Sequence, residues 1–293
     1  MEMKILEKLL FLFICACFAA CNAEKSPTSL EKDKLSGPVK KITATQYALL
    51  LAEDGTVQKD TASQEMNAYT VYTYDENGNV SFTGLYSGDG GLIGSQSYEY
   101  DGRNNPVKIT MFNSALNDTM MQKFSYDERN RVVEMSFFDK RGNLEAKELN
   151  EYEGDRQIVR YFMCRNNEER EISRYENILD ENGNIIDNRW YADSIATSHY
   201  SAVFDSAGNR TSVFVYGAGD SVENSFALEY DDKGNITRQS GTDKDGERLF
   251  VMTYEYEFDS YGNWTSSTEY NMADSSGIAR PVSLIERKIE YYQ

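Results

Sequence analysis

The side chains that most often do enzymatic chemistry are scarce in this sequence, and the scarcity bounds what it can do. His199 is the single histidine, so any Ser-His-Asp or Cys-His arrangement must run through it. It lies in "SHYSAVFD", which reads as a strand entering a turn at Asp205, and no G-x-S-x-G nucleophile elbow occurs. Zinc held by nitrogen and sulfur is equally poorly served. Of the four cysteines only Cys164 lies beyond the first twenty-one residues. A reactive thiol needs a depressed pKa from a cation or helix start. Arg165 is adjacent, but Cys164 reads as an inert strand residue. No catalytic residue, metal or cofactor is expected.

Carboxylates are abundant, 48 in all, and abundance is not a site. "DENGN", at Asp75 to Asn79 and again at Asp180 to Asn184, has oxygen donors around a glycine. It lacks the full ligand set and closing Glu of a calcium loop, and turn chemistry explains the same residues. Paired acids for glycoside hydrolysis would be a spatial arrangement, invisible in sequence. A glycan or small-ligand platform is an alternative, with Trp190, Tyr191, Trp264 and Tyr270 lying beyond turns on second strands of their repeats. Ordinary cross-strand aromatic pairing explains them as well. With a net charge of −18, nucleic acid is excluded as a partner, because binding it needs clustered positive charge.

The first residues read as an export signal. Lys4 and Lys8 precede an apolar run, "LLFLFICACFAA" from Leu9 to Ala20, of signal-core length and too short to span a bilayer. Phe18-Ala19-Ala20-Cys21 resembles the lipobox of bacterial lipoproteins, which implies cleavage before Cys21 and acylation of its thiol and new amino terminus. Two chains give stable membrane anchoring. The polar stretch after Cys21 reads as a flexible tether of roughly fifteen residues, spanning on the order of 20 Å. The expected division is signal peptide 1–20, lipidated Cys21 and tether 21–36, and a β-hairpin repeat domain 37–293. That domain holds one thiol, so burial and strand pairing alone must hold it.

What positions every residue beyond the tether is a repeat. "YTYDENGN" at Tyr72 to Asn79 recurs as "YEYDGRNN", "FSYDERNR", "NILDENGN", "AVFDSAGN", "LEYDDKGN" and "YEFDSYGN", with a shorter "YEGD" at Tyr152. The aspartates fall at 75, 101, 127, 155, 180, 205, 231 and 259, so the spacings are 26, 26, 28, 25, 25, 26 and 28. Asp suits the first position of a type I turn. Three residues on stand only Gly or Asn, the residues for which a left-handed conformation is least costly. At Asp155 a two-residue Gly154-Asp155 turn replaces it. Alternating Tyr, Phe and Leu before each Asp is strand periodicity. A second turn falls midway, in "SGDGG" from Ser87, "DKRGN" from Asp139, "GAGDS" from Gly217, "DKDGE" from Asp243 and "DSSG" from Asp274. The 21 Tyr and 14 Phe against four Pro favour strands.

The Tyr-x-Tyr-Asp-x-x-Gly-Asn core resembles the YD (RHS-type) repeat. The chain as a whole resembles Bacteroidetes-type lipoproteins of unknown function built from such repeats, porin-like β-meanders among them. We therefore expect an all-β antiparallel meander of about 16–18 strands, either barrel-like or a curled single sheet with edges guarded by Lys40, Lys41 and Lys288. Charged strands such as "REISRYE" argue against a membrane-embedded barrel. The function expected is that of a non-enzymatic envelope lipoprotein that binds or scaffolds, held at the outer membrane on its periplasmic or outer face. A glycan-active hydrolase or glycan-binding protein is the alternative. Glycan or envelope protein are the partners expected beyond the membrane. Asp-(Ser/Thr) sequences similar to the O-glycosylation signal of exported proteins in that bacterial group make Thr61, Thr119, Ser194, Ser206 and Ser221 candidate glycan sites, though Asp-Ser is also plain turn chemistry.

Overall fold

The recurring aspartates close hairpins in the computed structural model, which describes residues 25–51, 56–60, 68–165, 168–192, 195–217, 219–272 and 279–293. At Asp101, carboxylate Oδ1 accepts the backbone N–H groups of Arg103 (2.8 Å) and Asn105 (2.9 Å), and Oδ2 accepts the Asn105 side-chain amide (3.1 Å). The two Oδ1 bonds recur at Asp75, Asp127, Asp180, Asp205, Asp231 and Asp259. Three residues on, Gly78, Asn104, Asn130, Gly183, Gly208, Gly234 and Gly262 all take positive φ, from 59° to 85°. This is a type I turn closed by a left-handed residue, the hairpin loop that inserts a bulge. The strand register accordingly shifts just before each of these aspartates, as between Thr73 and Tyr74 or Glu99 and Tyr100.

The strands between these turns are β1 (Val39–Leu51), β2 (Val57–Lys59), β3 (Tyr69–Tyr74), β4 (Val80–Tyr86), β5 (Leu92–Tyr100) and β6 (Pro106–Asn113). They continue as β7 (Asp118–Tyr126), β8 (Val132–Phe138), β9 (Leu144–Glu153), β10 (Arg156–Arg165), β11 (Glu168–Leu179) and β12 (Ile185–Ala192). The last are β13 (Ile195–Phe204), β14 (Arg210–Tyr216), β15 (Val222–Tyr230), β16 (Ile236–Asp243), β17 (Arg248–Phe258), β18 (Trp264–Asn271) and β19 (Arg280–Tyr291). Each pairs antiparallel with its neighbours, and β1 pairs with both β19 and β3, so the meander closes on itself. Eighteen strands form the barrel, while β2 extends the end of β1. Of the two forms expected, closure wins over the open sheet. There is no edge for Lys41 to guard, and it lies instead in the wall, 3.7 Å from Glu290.

The repeat's tyrosine has a second task. A bulge disrupts the ladder and frees a carbonyl, and an unpaired buried carbonyl costs free energy. Tyr100, Tyr126, Tyr152, Tyr230 and Tyr256 each donate to a carbonyl twenty residues earlier, those of Val80, Pro106, Val132, Arg210 and Ile236 (2.7–3.1 Å). All five acceptors sit at the strand start just past a turn, so each repeat fastens the bulge of the one before.

The Asp turns share one end of the barrel, and residues 25–37 cross it. Ser26 N–H donates to Arg103 O (2.8 Å) and Leu30 N–H to Gly78 O (3.0 Å). Lys34 Nζ reaches Asn209 (2.7 Å), in a turn nearly opposite on the ring, and Ser36 N–H donates to Asn263 (2.7 Å). Between them lies α1 (Ser29–Lys32), started by a Thr28–Glu31 capping box. Leu30 and Leu35 pack on buried Val39, Ile42 and Tyr74. The segment expected as a free tether is thus docked from Ser26 onward. Its two leucines bury apolar surface, and the turn amides and carbonyls satisfy its backbone.

Replacing Asp101 by Ala leaves two backbone N–H groups without their acceptor, so we expect a loss of about 1–3 kcal/mol, read as a lower urea midpoint. Acid should act on the same groups. Side-chain amides of Asn143 and Asn209, followed by backbone N–H groups, hold the Asp139 and Asp205 carboxyls below the usual aspartate range. At Asp127, Asp180 and Asp231 burial pushes upward, but the turn bonds outweigh it. Carboxyls lowered by folding stabilise above the unfolded value of about 3.9, and that stabilisation is lost as pH falls through the folded values. Thermal melts should therefore fall away below about pH 4; a melting temperature level from pH 4 to pH 2 would contradict this.

Candidate ligand-binding lumen

Strand alternation divides every side chain between two surfaces. Outside, cross-strand ion pairs join Lys108 to Glu99 (2.7 Å), Arg160 to Glu151 (2.8 Å) and Arg238 to Glu229 (2.8 Å). Such exposed pairs add little stability, but they make the outer face a charged one. Inside stand tyrosines, amides, methionines and a few charged groups.

From β12 to β9 the inner wall carries a directed chain of amides. Asn188 donates to Asn177 (2.5 Å), Asn177 to Gln157 (2.9 Å), Gln157 to Asn150 (2.7 Å) and Asn150 to Glu148 (3.0 Å). Every donor points toward the Glu148 carboxylate, the terminal acceptor. Glu148 is only 7% exposed, and its cross-strand partner Tyr161 only 6%. Among the described residues the Tyr161 hydroxyl and the Trp190 Nε1–H are buried without a hydrogen bond. Burial pushes the Glu148 carboxyl up, with the Asn150 bond opposing.

The end closed by residues 25–37 forms a floor. Tyr74 Oη donates to Asp33 (3.3 Å), whose carboxyl burial raises against the Tyr74 bond, Arg287 and Lys32. Trp264 packs on Tyr256, with ring centroids 5.9 Å apart, and the Arg287 guanidinium lies 3.3 Å from the Trp264 ring centre.

The four aromatics expected as a platform do not come together. Trp190 and Trp264 face inward, Trp190 stacked on Tyr175 at 6.3 Å. Tyr191 faces outward beneath Arg174, and Tyr270 outward onto Glu255 (2.8 Å). Neighbouring strand residues point to opposite faces, so Trp190 and Tyr191 cannot share one. His199 is held between Asp187 (2.9 Å) and Asp220 (3.0 Å) and stacks on Tyr216, while Ser201 bonds Tyr216 rather than the imidazole. Among the described residues no hydroxyl or thiol hydrogen-bonds the imidazole. Burial pushes the Cys164 thiol up, and Glu169 adds to this against Lys147. The "DENGN" carboxylates at Asp75 and Asp180 are spent on their own turns. Among the described residues no group of three His, Cys, Asp or Glu is arranged to hold a metal ion.

Of the candidate glycan sites, Ser206 is exposed in the Asp205 turn and Ser221 in the loop before β15, whereas Thr119 is a half-buried residue of β7 rather than of a loop. Thr61, Ser194, the signal segment and Cys21 lie outside the described residues, as does the Asp274 turn. The amide chain and Glu148 carry no motif and went unread. Arg287 was legible: in Ile285-Glu286-Arg287-Lys288-Ile289-Glu290-Tyr291 it shares the apolar face of an alternating strand.

A family model described as "Uncharacterised protein" matches residues 56–198, just under half the chain. No curated protein matches it. Among solved structures it is similar to a porin-like protein from Bacteroides uniformis, at 14% identity over 87% of this chain and 99% of that one, with a TM-score of 0.42. A porin-like protein from Bacteroides vulgatus matches at 13% identity over 87% and 98%, with a TM-score of 0.36. At such identities these are likenesses of overall shape alone.

Glu148→Gln keeps an acceptor for Asn150 and removes a buried charge. A carboxyl raised by folding destabilises when ionised, and the penalty fades as pH falls through the folded value toward the ordinary one of about 4.3. We expect the variant to melt higher than wild type at pH 7, with the gain vanishing near pH 4. A variant that melts lower at pH 7 would give the charge a stabilising role.

Proposed function

We propose that the chain is a lipid-anchored, YD-type repeat lipoprotein of the bacterial envelope, a water-facing barrel with a non-enzymatic binding role. The observation that carries this is the position of residues 25–37. They come three residues after the lipobox-like Phe18-Ala19-Ala20-Cys21 and dock across the Asp-turn end of the barrel. Four residues lie between Cys21 and Ser26, five steps of chain that span at most about 17 Å when extended. Strands of about eight residues, inclined as in closed barrels, put the other rim roughly 20 Å further out. On this reading the Asp turns abut the lipid and the opposite rim faces away from it. The exposed ion pairs of the outer wall suit water rather than hydrocarbon. His199 and Cys164 are each committed to their surroundings, which favours binding over catalysis.

Mass spectrometry of the native amino-terminal peptide tests the anchor. Acyl chains on Cys21, with Cys21→Ala protein released from membranes, are the expected result. An unmodified Cys21, or Cys21→Ala protein still fixed to membranes, would sink the reading.

A further inference from the structure

Arg287 is a cation on the inner wall with no hydrogen-bonded counter-ion among the described residues. It lies on β19 opposite Ala44 of β1, flat against Trp264. Its Nε–H is buried without an acceptor, and among the described residues its side chain makes no hydrogen bond or ion pair. Other arginines of this acidic chain bridge carboxylates, as Arg131, Arg160 and Arg238 do. Across β1, Tyr72 pairs with Ile42 one row away, and among the described residues its hydroxyl also lacks a partner. Ala44, the residue between Arg287 and Thr70, adds only a methyl group to this part of the wall. Guanidinium, phenol and indole therefore lie close to one another on the inner wall at the closed end.

We propose that this floor binds the carboxylate of a small monoanionic ligand, with Arg287 as its charged fork, Tyr72 as a second donor and Trp264 holding the guanidinium plane. The planar fork matches a carboxylate with two parallel N–H bonds, a geometry a lysine could not offer. Stacking on Trp264 orients the fork before ligand arrives, and desolvated cation–π contact strengthens that hold. Charge selects a single negative unit. A second negative charge, as on dianionic phosphate or sulfate, would add repulsion from nearby Asp33 in a chain of net charge −18, so a single carboxylate suits the site better. Burial lowers the guanidinium pKa while Tyr74, Tyr72 and Asp33 raise it, and a bound carboxylate would relieve that desolvation. The proposal deepens the binding reading and is independent of the lipid anchor, which is tested separately on Cys21.

Trp264 is the reporter. Trp190→Phe leaves it the sole tryptophan, and the purified protein is titrated with sodium glucuronate or benzoate at constant ionic strength. Glucose, sulfate and phosphate serve as comparisons. The expected result is a saturable fluorescence change with the carboxylates and none with glucose. Arg287→Gln should weaken it at least tenfold and Tyr72→Phe severalfold, with urea midpoints showing both variants folded. Stronger binding of phosphate or sulfate would overturn the carboxylate assignment. No saturable response to either carboxylate, or one undiminished in Arg287→Gln, would overturn the site. In the former case, restoration of Arg287→Gln stability by Asp33→Asn would assign Arg287 to balancing Asp33.

Discussion

A carboxylate accepting two backbone N–H groups two and four residues ahead is the interaction on which this structure rests. At each full Asp turn it holds a loop of fixed length, ends in a left-handed residue and leaves one extra residue in the ladder. Because side chains alternate with a period of two, that extra residue decides which of them face inward. One bond pattern, repeated around the ring, therefore sets turn, register and the sidedness of the wall. The tyrosine bonds tie each bulge to the next repeat, so the register of one hairpin constrains its neighbour.

Much of this was legible in the sequence, because turns are local. The spacing of Asp and of Gly or Asn gave hairpin positions directly, and the alternation of Tyr72 and Tyr74 gave strand. Closure was not legible. It depends on β1 meeting β19, a pairing between the two ends of the repeat domain that no local pattern encodes. The docking of residues 25–36 was hidden for a similar reason. Leu30 and Leu35 look like isolated apolar residues in a polar stretch until Tyr74, Val39 and Ile42 surround them. The aromatic platform failed because sequence proximity brought Trp190 and Tyr191 together when the pleat must separate them.

Inside and outside surfaces then have different physics. The outer wall pairs exposed charges across strands, where each pair adds little stability. The inner wall satisfies itself with amide chains and carbonyl-seeking tyrosines, and leaves a few groups unsatisfied. Among the described residues Tyr161, Trp190 and Arg287 are those groups. In a low-dielectric lumen an unpaired polar group is costly, so their positions mark where the wall departs from what stability alone would choose. The closed end sets Arg287 at the foot of the lumen near Asp33 of the segment that crosses it.

The central claim, that the Asp turns fix a register which sends alternate residues into a closed lumen, is tested most directly on β19. Single cysteines at successive positions from Leu284 to Tyr291, in protein lacking Cys164, would be reacted with a bulky maleimide under native conditions. The account predicts rapid labelling at 284, 286, 288 and 290 and protection at 285, 287, 289 and 291. Uniform labelling along the strand would contradict closure, and the opposite alternation would contradict the register.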